Sequence, residues 1–302
     1  MLCALFMAGC NLTNGAASSS DALPPSPTSV TMLRATAVPT LARVFRTVQA
    51  LPTVPPVMVE NTSTPEPDCD LDPTVATTRH TVNATLDYPA RTVSVDHTVT
   101  YINRTGAPLT DFVLNIEPNR YPGAFTLYSL AQTTATTSLT PDFDLTGRRL
   151  FLQLPAEILP GCKLQLQLSF LVTIPQVGDG VQAFKGFFGY SERQLNLGHW
   201  LPTVALRAGE EWITRQAVFV GEQEVLTEAD WDVTLTVNGA SGALVIAAPG
   251  TQTQLDSNRW RYRFPGSRDF TVSMSEQFQV SSIEVEGGTT LEVYTFSDAK
   301  ST

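Results

Sequence analysis

A period-two alternation of apolar and polar residues constrains this chain more than any other feature. In RTVSVDHTVTYIN it sets Val93, Val95, His97, Val99 and Tyr101 on one face, with Thr92, Ser94, Asp96, Thr98 and Thr100 on the other. That is the pattern of a strand with one face buried. HTVNATLDY alternates in the same way just before it, and YPAR between the two supplies a proline-containing turn, so the pair reads as a hairpin. NRTGAPLT is the next turn and leads into DFVLNIEP. The texture recurs in RRLFLQLP, KLQLQLSFLVTIP, EWITRQAVFV, WDVTLTVNG, ALVIAAPG, RWRYRFPG, RDFTVSMSEQFQV and TLEVYTF, separated by LPGC, NGASG, PGTQT, PGSR and EGG. Many short strands with regular turns predict an all-β fold, an antiparallel curved sheet or sandwich. Interior βαβ alternation is missing, which argues against a doubly wound nucleotide-binding fold.

The front of the chain has a different texture. MLCALFMAGC is a short apolar run that ends in the small residues Ala8 and Gly9 and then Cys10. It resembles the end of a bacterial lipoprotein signal, with Cys10 lipidated and the protein held outside the cytoplasm at the cell membrane. The basic stretch that should precede the apolar run is absent, so either the true start lies upstream or Cys10 is a chance cysteine. No other segment approaches the ~18 apolar residues of a membrane span. Residues 11–76 are rich in Ser, Thr, Ala and Pro, a composition that buries too little apolar surface to offset ordering entropy and predicts a disordered linker. Cys3 would leave with the signal. Cys69 and Cys162 remain, and they could pair in an oxidising compartment, although the sequence does not show that they meet.

Charge and motifs exclude several functions. Lys and Arg number 19 against 29 Asp and Glu, a net charge of −10, and no basic cluster suits nucleic acid. The histidines are His80, His97 and His199; none has a His or Cys partner at strand or helix spacing, and neither H-E-x-x-H nor C-x-x-C occurs, so no metal site is expected. His97 falls on an apolar face and reads as a core residue. GYSER opens like a serine-hydrolase elbow but has Arg193 where the second glycine belongs. Adjacent carboxylates on a strand point to opposite faces, so Glu210 and Glu211 are poor partners for paired-carboxylate hydrolysis; they, and Glu222 with Glu224, read as solvated charges. Sequons begin at Asn11, Asn61, Asn83 and Asn103 and read as chance matches.

GYSERQLNLGHWLPTVA interrupts the hairpins with a dense polar and aromatic cluster. It opens a set of segments that resembles the N-terminal domain of the aminopeptidase N-like zinc metallopeptidases, peptidase family M-one. The set comprises Trp200-Leu201-Pro202, Gly221-Glu222, the run Asp232-Val233-Thr234-Leu235-Thr236-Val237, and Arg268-Asp269-Phe270. TLDYPARTVSVDHTVTYINRTG fits the opening hairpins of that domain. The resemblance covers about 77–281 and implies a saddle-like β domain packed against a catalytic domain in cis or in trans. Zinc and H-E-x-x-H would belong to that catalytic domain, with 282–302 as its start or as a tail. This chain alone would then hold no cofactor and show no peptidase activity. By the same resemblance Glu192 or Gln194 would bind the amine of a peptide substrate, present only with the catalytic domain. His199 and Trp200 would pack at the domain interface. The alternative is a stand-alone extracytoplasmic binding or scaffolding lipoprotein with a β-sandwich domain.

Overall fold

The architecture follows from which strands keep the alternation and which break it. A computed structural model describes residues 69, 75–134, 137–177, 186–213 and 225–298; Cys10, Glu222, Glu224, and the sequons at Asn11 and Asn61 lie outside the described residues. The largest sheet has eight strands in the order β16 (Thr251–Asp256), β17 (Arg259–Ser267), β14 (Ala229–Asn238), β1 (Thr78–Asp87), β2 (Thr92–Ile102), β8 (Lys163–Thr173), β4 (Phe125–Thr133) and β5 (Ser138–Leu139). A second sheet runs β15 (Val245–Ala247), β18 (Val272–Ser275), β10 (Leu195–Leu197), β9 (Phe188–Tyr190). A third runs β11 (Thr203–Val204), β3 (Leu109–Asn115), β7 (Arg149–Ile158), β6 (Asp142–Thr146). Two hairpins, β12 (Arg207–Ala208) with β13 (Glu211–Trp212) and β19 (Gln279–Val285) with β20 (Thr289–Thr295), complete the described strands. Among the described residues the only helix is a short 3₁₀ turn, Glu117–Arg120. The all-β expectation is met, and among the pairs of described strands one departs from the antiparallel rule: β1 pairs with β14 in parallel.

The predicted face of β2 is the buried one. Register lines up inward rows across four strands: Trp231, His80, Val99 and Leu166, then Val233, Val82, His97 and Leu168, then Leu235, Ala84, Val95 and Phe170. Each of these side chains is buried, and all but His80 and His97 join inward residues of β3, β7, β10 and β18 in one apolar cluster. The β1–β2 turn is fixed by Asp87, whose carboxylate accepts the Ala90 N–H at 2.9 Å, and by Arg91 at φ 58°. His97 is a core residue, as its position predicts, but it does not sit among hydrocarbon alone. His80 Nδ1 lies 2.9 Å from His97 Nε2, and the His80 ring stacks on Trp231 with centroids 4.0 Å apart.

One local expectation needs correction. PGTQT was expected to be a separator, yet Thr251 opens β16, an exposed strand that pairs only with β17. Its residues carry no apolar alternation because neither face is buried. β19 pairs along its length with β20, and position 281 falls inside it. The sequon at Asn103 is fully buried: its amide donates to Ile158 O at 2.7 Å and Ala107 O at 2.8 Å, and its Oδ1 accepts from Thr105. That side chain is a structural clamp on the β2–β3 turn, whereas Asn83 is exposed on the outer face of β1.

Cys69 and Cys162 form a disulfide across a sequence separation of 93. It ties the segment before β1 to the β7–β8 turn, where Cys162 N donates to Leu159 O at 3.0 Å and Gly161 takes φ 81°. A bridge closing so long a loop restricts the unfolded chain strongly. Reduction is expected to destabilise the domain by about 2–4 kcal/mol, read as a lower midpoint in calorimetry with and without a phosphine reductant. An unchanged midpoint in a fully reduced sample would contradict this.

Candidate functional site

The polar cluster singled out in the sequence is built on the β9–β10 hairpin. Ser191 N donates to Gln194 O at 2.8 Å, and Ser191 Oγ accepts from the N–H groups of Arg193 and Gln194, each at 3.2 Å. A serine side chain that takes over backbone donors holds a tight turn. Leu195 and Leu197 anchor the strand in the core, while Asn196 bridges outward, donating to Gly186 O at 2.7 Å and accepting from Ser273 Oγ at 2.7 Å. The turn is thereby presented at the surface with Glu192 exposed and Gln194 half-buried.

The turn is bound to the last described residues of the chain. The Arg193 guanidinium makes two hydrogen bonds to the Asp298 carboxylate, at 3.1 and 2.5 Å, and lies 3.9 Å over the Phe296 ring. Ser275 Oγ donates to Arg193 O, and Gln277 Nε2 donates to Glu192 O at 3.4 Å. The Arg193 pair holds Asp298 below the usual carboxylate range. None of these partners is legible in the sequence, because each depends on where β18 and β20 fall in space.

Two of the quoted segments, GHWLP and RDF, meet. His199, held at φ 50°, donates its backbone N–H to Asp269 Oδ2 at 3.0 Å, with its Nδ1 3.2 Å from the same oxygen. Asp269 Oδ1 accepts the Phe270 N–H at 2.9 Å, and burial raises the Asp269 carboxyl against the opposing pull of His199. Trp200 is fully buried within this domain and its Nε1–H donates to Phe270 O at 2.9 Å. His199 is at the surface, edge-on to Phe187. Gly198 is required by proximity: a Cβ there would lie 2.7 Å from Phe187 O.

Next to this junction lies a cleft of about 610 Å³, with Gly198, Asn196 and Ser273 on one side and Thr290, Glu292 and Tyr294 on the other. Tyr294 donates to Glu292 at 2.6 Å, and burial together with that carboxylate pushes its hydroxyl up to about 12. The opposite face of the hairpin carries four aliphatic side chains among polar ones. Ile283 pairs with Leu291 and Ser281 with Val293 in register, and Ile283, Leu291, Val293 and Val285 are 59, 53, 45 and 41% exposed. An isolated two-stranded hairpin is marginal in water, and four aliphatic side chains on one open face call for a cover.

The site does not fit zinc. His80 and His97 spend their facing nitrogens on each other in the core, and His199 has one carboxylate neighbour. Among the described residues no group of three or more His, Cys, Asp or Glu is placed to hold a metal ion.

No protein-family model matches the chain, and neither does any curated protein. Among solved structures the chain is similar to M1 zinc metallopeptidases of Deinococcus radiodurans. A mutant bound to a Tyr-Ser-Ala substrate is 17% identical over 71% of this chain and 46% of its own length, with a TM-score of 0.43. The M1 zinc metallopeptidase itself is 15% identical over 71% and 45%, with a TM-score of 0.44. The chain thus spans less than half the length of these enzymes. Similarity of this extent assigns neither a family nor an activity.

Proposed function

We propose that this chain provides the non-catalytic N-terminal β domain, residues 77–281 together with the β19–β20 hairpin, of an aminopeptidase N-like zinc metallopeptidase. Zinc and the reacting groups come from a separate catalytic domain, in cis or in trans. The observation that carries this reading is the uncovered aliphatic face of β19–β20, beside the turn that presents Glu192. The face offers a docking surface to a following domain. The exposed Glu192 carboxylate suits the ammonium of a peptide amino terminus as a charge-assisted acceptor, with Gln194 in the same turn as the neutral alternative. The disulfide fits an oxidising compartment, and lipid on Cys10 would hold the protein at the outside of the cell membrane. No helix among the described residues is long and apolar enough to cross a membrane.

The test uses the purified chain and its Ile283→Ser/Leu291→Ser variant. The wild type is expected to bind a hydrophobic dye or to self-associate, and the variant to do neither while keeping its thermal midpoint. A wild-type monomer that binds no dye would count against a missing cover.

A further inference from the structure

A second concave surface lies away from the cleft just described, between the β6 edge of the third sheet and the β12–β13 hairpin, with a volume of about 630 Å³. Its floor is aromatic: Phe151 is 41% exposed there, and the Trp212 ring forms a wall. Its rim is anionic. Asp142 and Asp144 come from β6, and Glu210 and Glu211 from the β12–β13 turn. Asp111, beneath them, is engaged: it accepts from Arg207 at 3.2 Å and from Trp212 Nε1 at 2.8 Å, which fixes the hairpin against β3. The four rim carboxylates make no ion pair with any described residue, and no described lysine or arginine lines the groove. Glu210 and Glu211, expected to point apart as strand neighbours, both reach it because Glu210 lies in the turn and only Glu211 in the strand.

We propose that this groove binds an extended cationic peptide segment, with an apolar side chain on Phe151 and Trp212 and flanking lysines or arginines on the four carboxylates. Clustered like charges in solvent repel, and a cation between them relieves that repulsion while its alkyl stem covers the aromatic floor. An extended peptide fits better than a small cation because the carboxylates stand in two pairs, Asp142 and Asp144 on β6 and Glu210 and Glu211 at the β12–β13 hairpin, with the aromatic floor between them, so one ligand must carry separate cations and an apolar side chain together. The assignment is independent of the metallopeptidase reading, since it concerns neither the β19–β20 face nor the Glu192 turn.

Titration calorimetry with acetyl-Lys-Val-Lys-Phe-Lys-Val-amide tests it; the blocked ends keep the peptide from acting as an aminopeptidase substrate. Saturable binding is expected, weakened at least about tenfold by raising salt from about 30 mM to about 0.5 M. Asp142→Asn/Asp144→Asn, Glu210→Gln/Glu211→Gln and Phe151→Ser should each weaken it by about fivefold or more. These side chains are at the surface, so thermal midpoints should not move. The proposal is overturned by absence of saturable binding, by equal affinity for the peptide with glutamine in place of each lysine, by variants that bind like wild type, or by a neutral oligosaccharide that displaces the peptide.

Discussion

As pH falls from 8 to about 4.5 the domain is expected to lose several kcal/mol of stability, most of it through His80 and His97. Both are fully buried. Burial lowers His97 from 6.5 to about 3, and burial followed by repulsion from His97 lowers His80 well below 6.5. The folded state therefore binds fewer protons than the unfolded chain once pH drops below 6.5, so stability is complete above that value and is lost below it. Each histidine that stays neutral in the fold contributes a slope of about 1.4 kcal/mol per pH unit, so His97 alone accounts for about 3 kcal/mol across two units. Geometry leaves little room for rescue: His80 is stacked on Trp231, and His97 Nδ1 is buried without a hydrogen-bond partner among the described residues. Denaturant unfolding at several pH values checks this. A His80→Phe/His97→Leu variant should be nearly pH-independent between pH 8 and about 5, above the carboxylate range. Parallel pH slopes for the variant and the wild type would show that other groups set the acid response.

Trp200→Ala is expected to cost about 3–5 kcal/mol, the range for deleting a large buried aromatic side chain. Trp200 is among the largest fully buried side chains, and its Nε1–H satisfies Phe270 O. Removing it opens a cavity where the second sheet meets the His199–Asp269 contact. Trp200→Phe keeps most of the volume and loses the hydrogen bond, at about 1–3 kcal/mol for a buried carbonyl left unsatisfied. Urea unfolding should rank wild type above the phenylalanine variant and that above the alanine variant. An alanine variant within about 1 kcal/mol of wild type would mean that the site collapses without loss.

The strands with one buried face were legible because burial writes itself into alternation. β1, β2, β8 and β14 bury every second residue, and each was recognisable from its own residues. What depends on distant partners was not. Nothing local in TRHTVNATLD or ADWDVTLTVN states that they run parallel, a pairing that brings His80 beside Trp231. β16 was missed because an exposed end strand has no buried face to mark it. β4 carries a register shift between Leu127 and Ser129 that breaks its alternation and leaves Tyr128 exposed. At the candidate site the turn Ser191–Gln194 was visible as a polar cluster. Its ties to Asp298, Ser275 and Gln277 were not, since they join residues more than eighty apart. Asp269 stood in a quoted segment, yet only the fold reveals that it holds His199.

The measurement that bears most directly on the proposed role is the zinc content and mass of the species that carries this chain when it is isolated from its own cells by native mass spectrometry. A β domain of a zinc metallopeptidase should appear in an assembly heavier than these 302 residues, with one zinc ion per copy. A zinc-free species of these residues alone would contradict the role and leave a binding protein in its place.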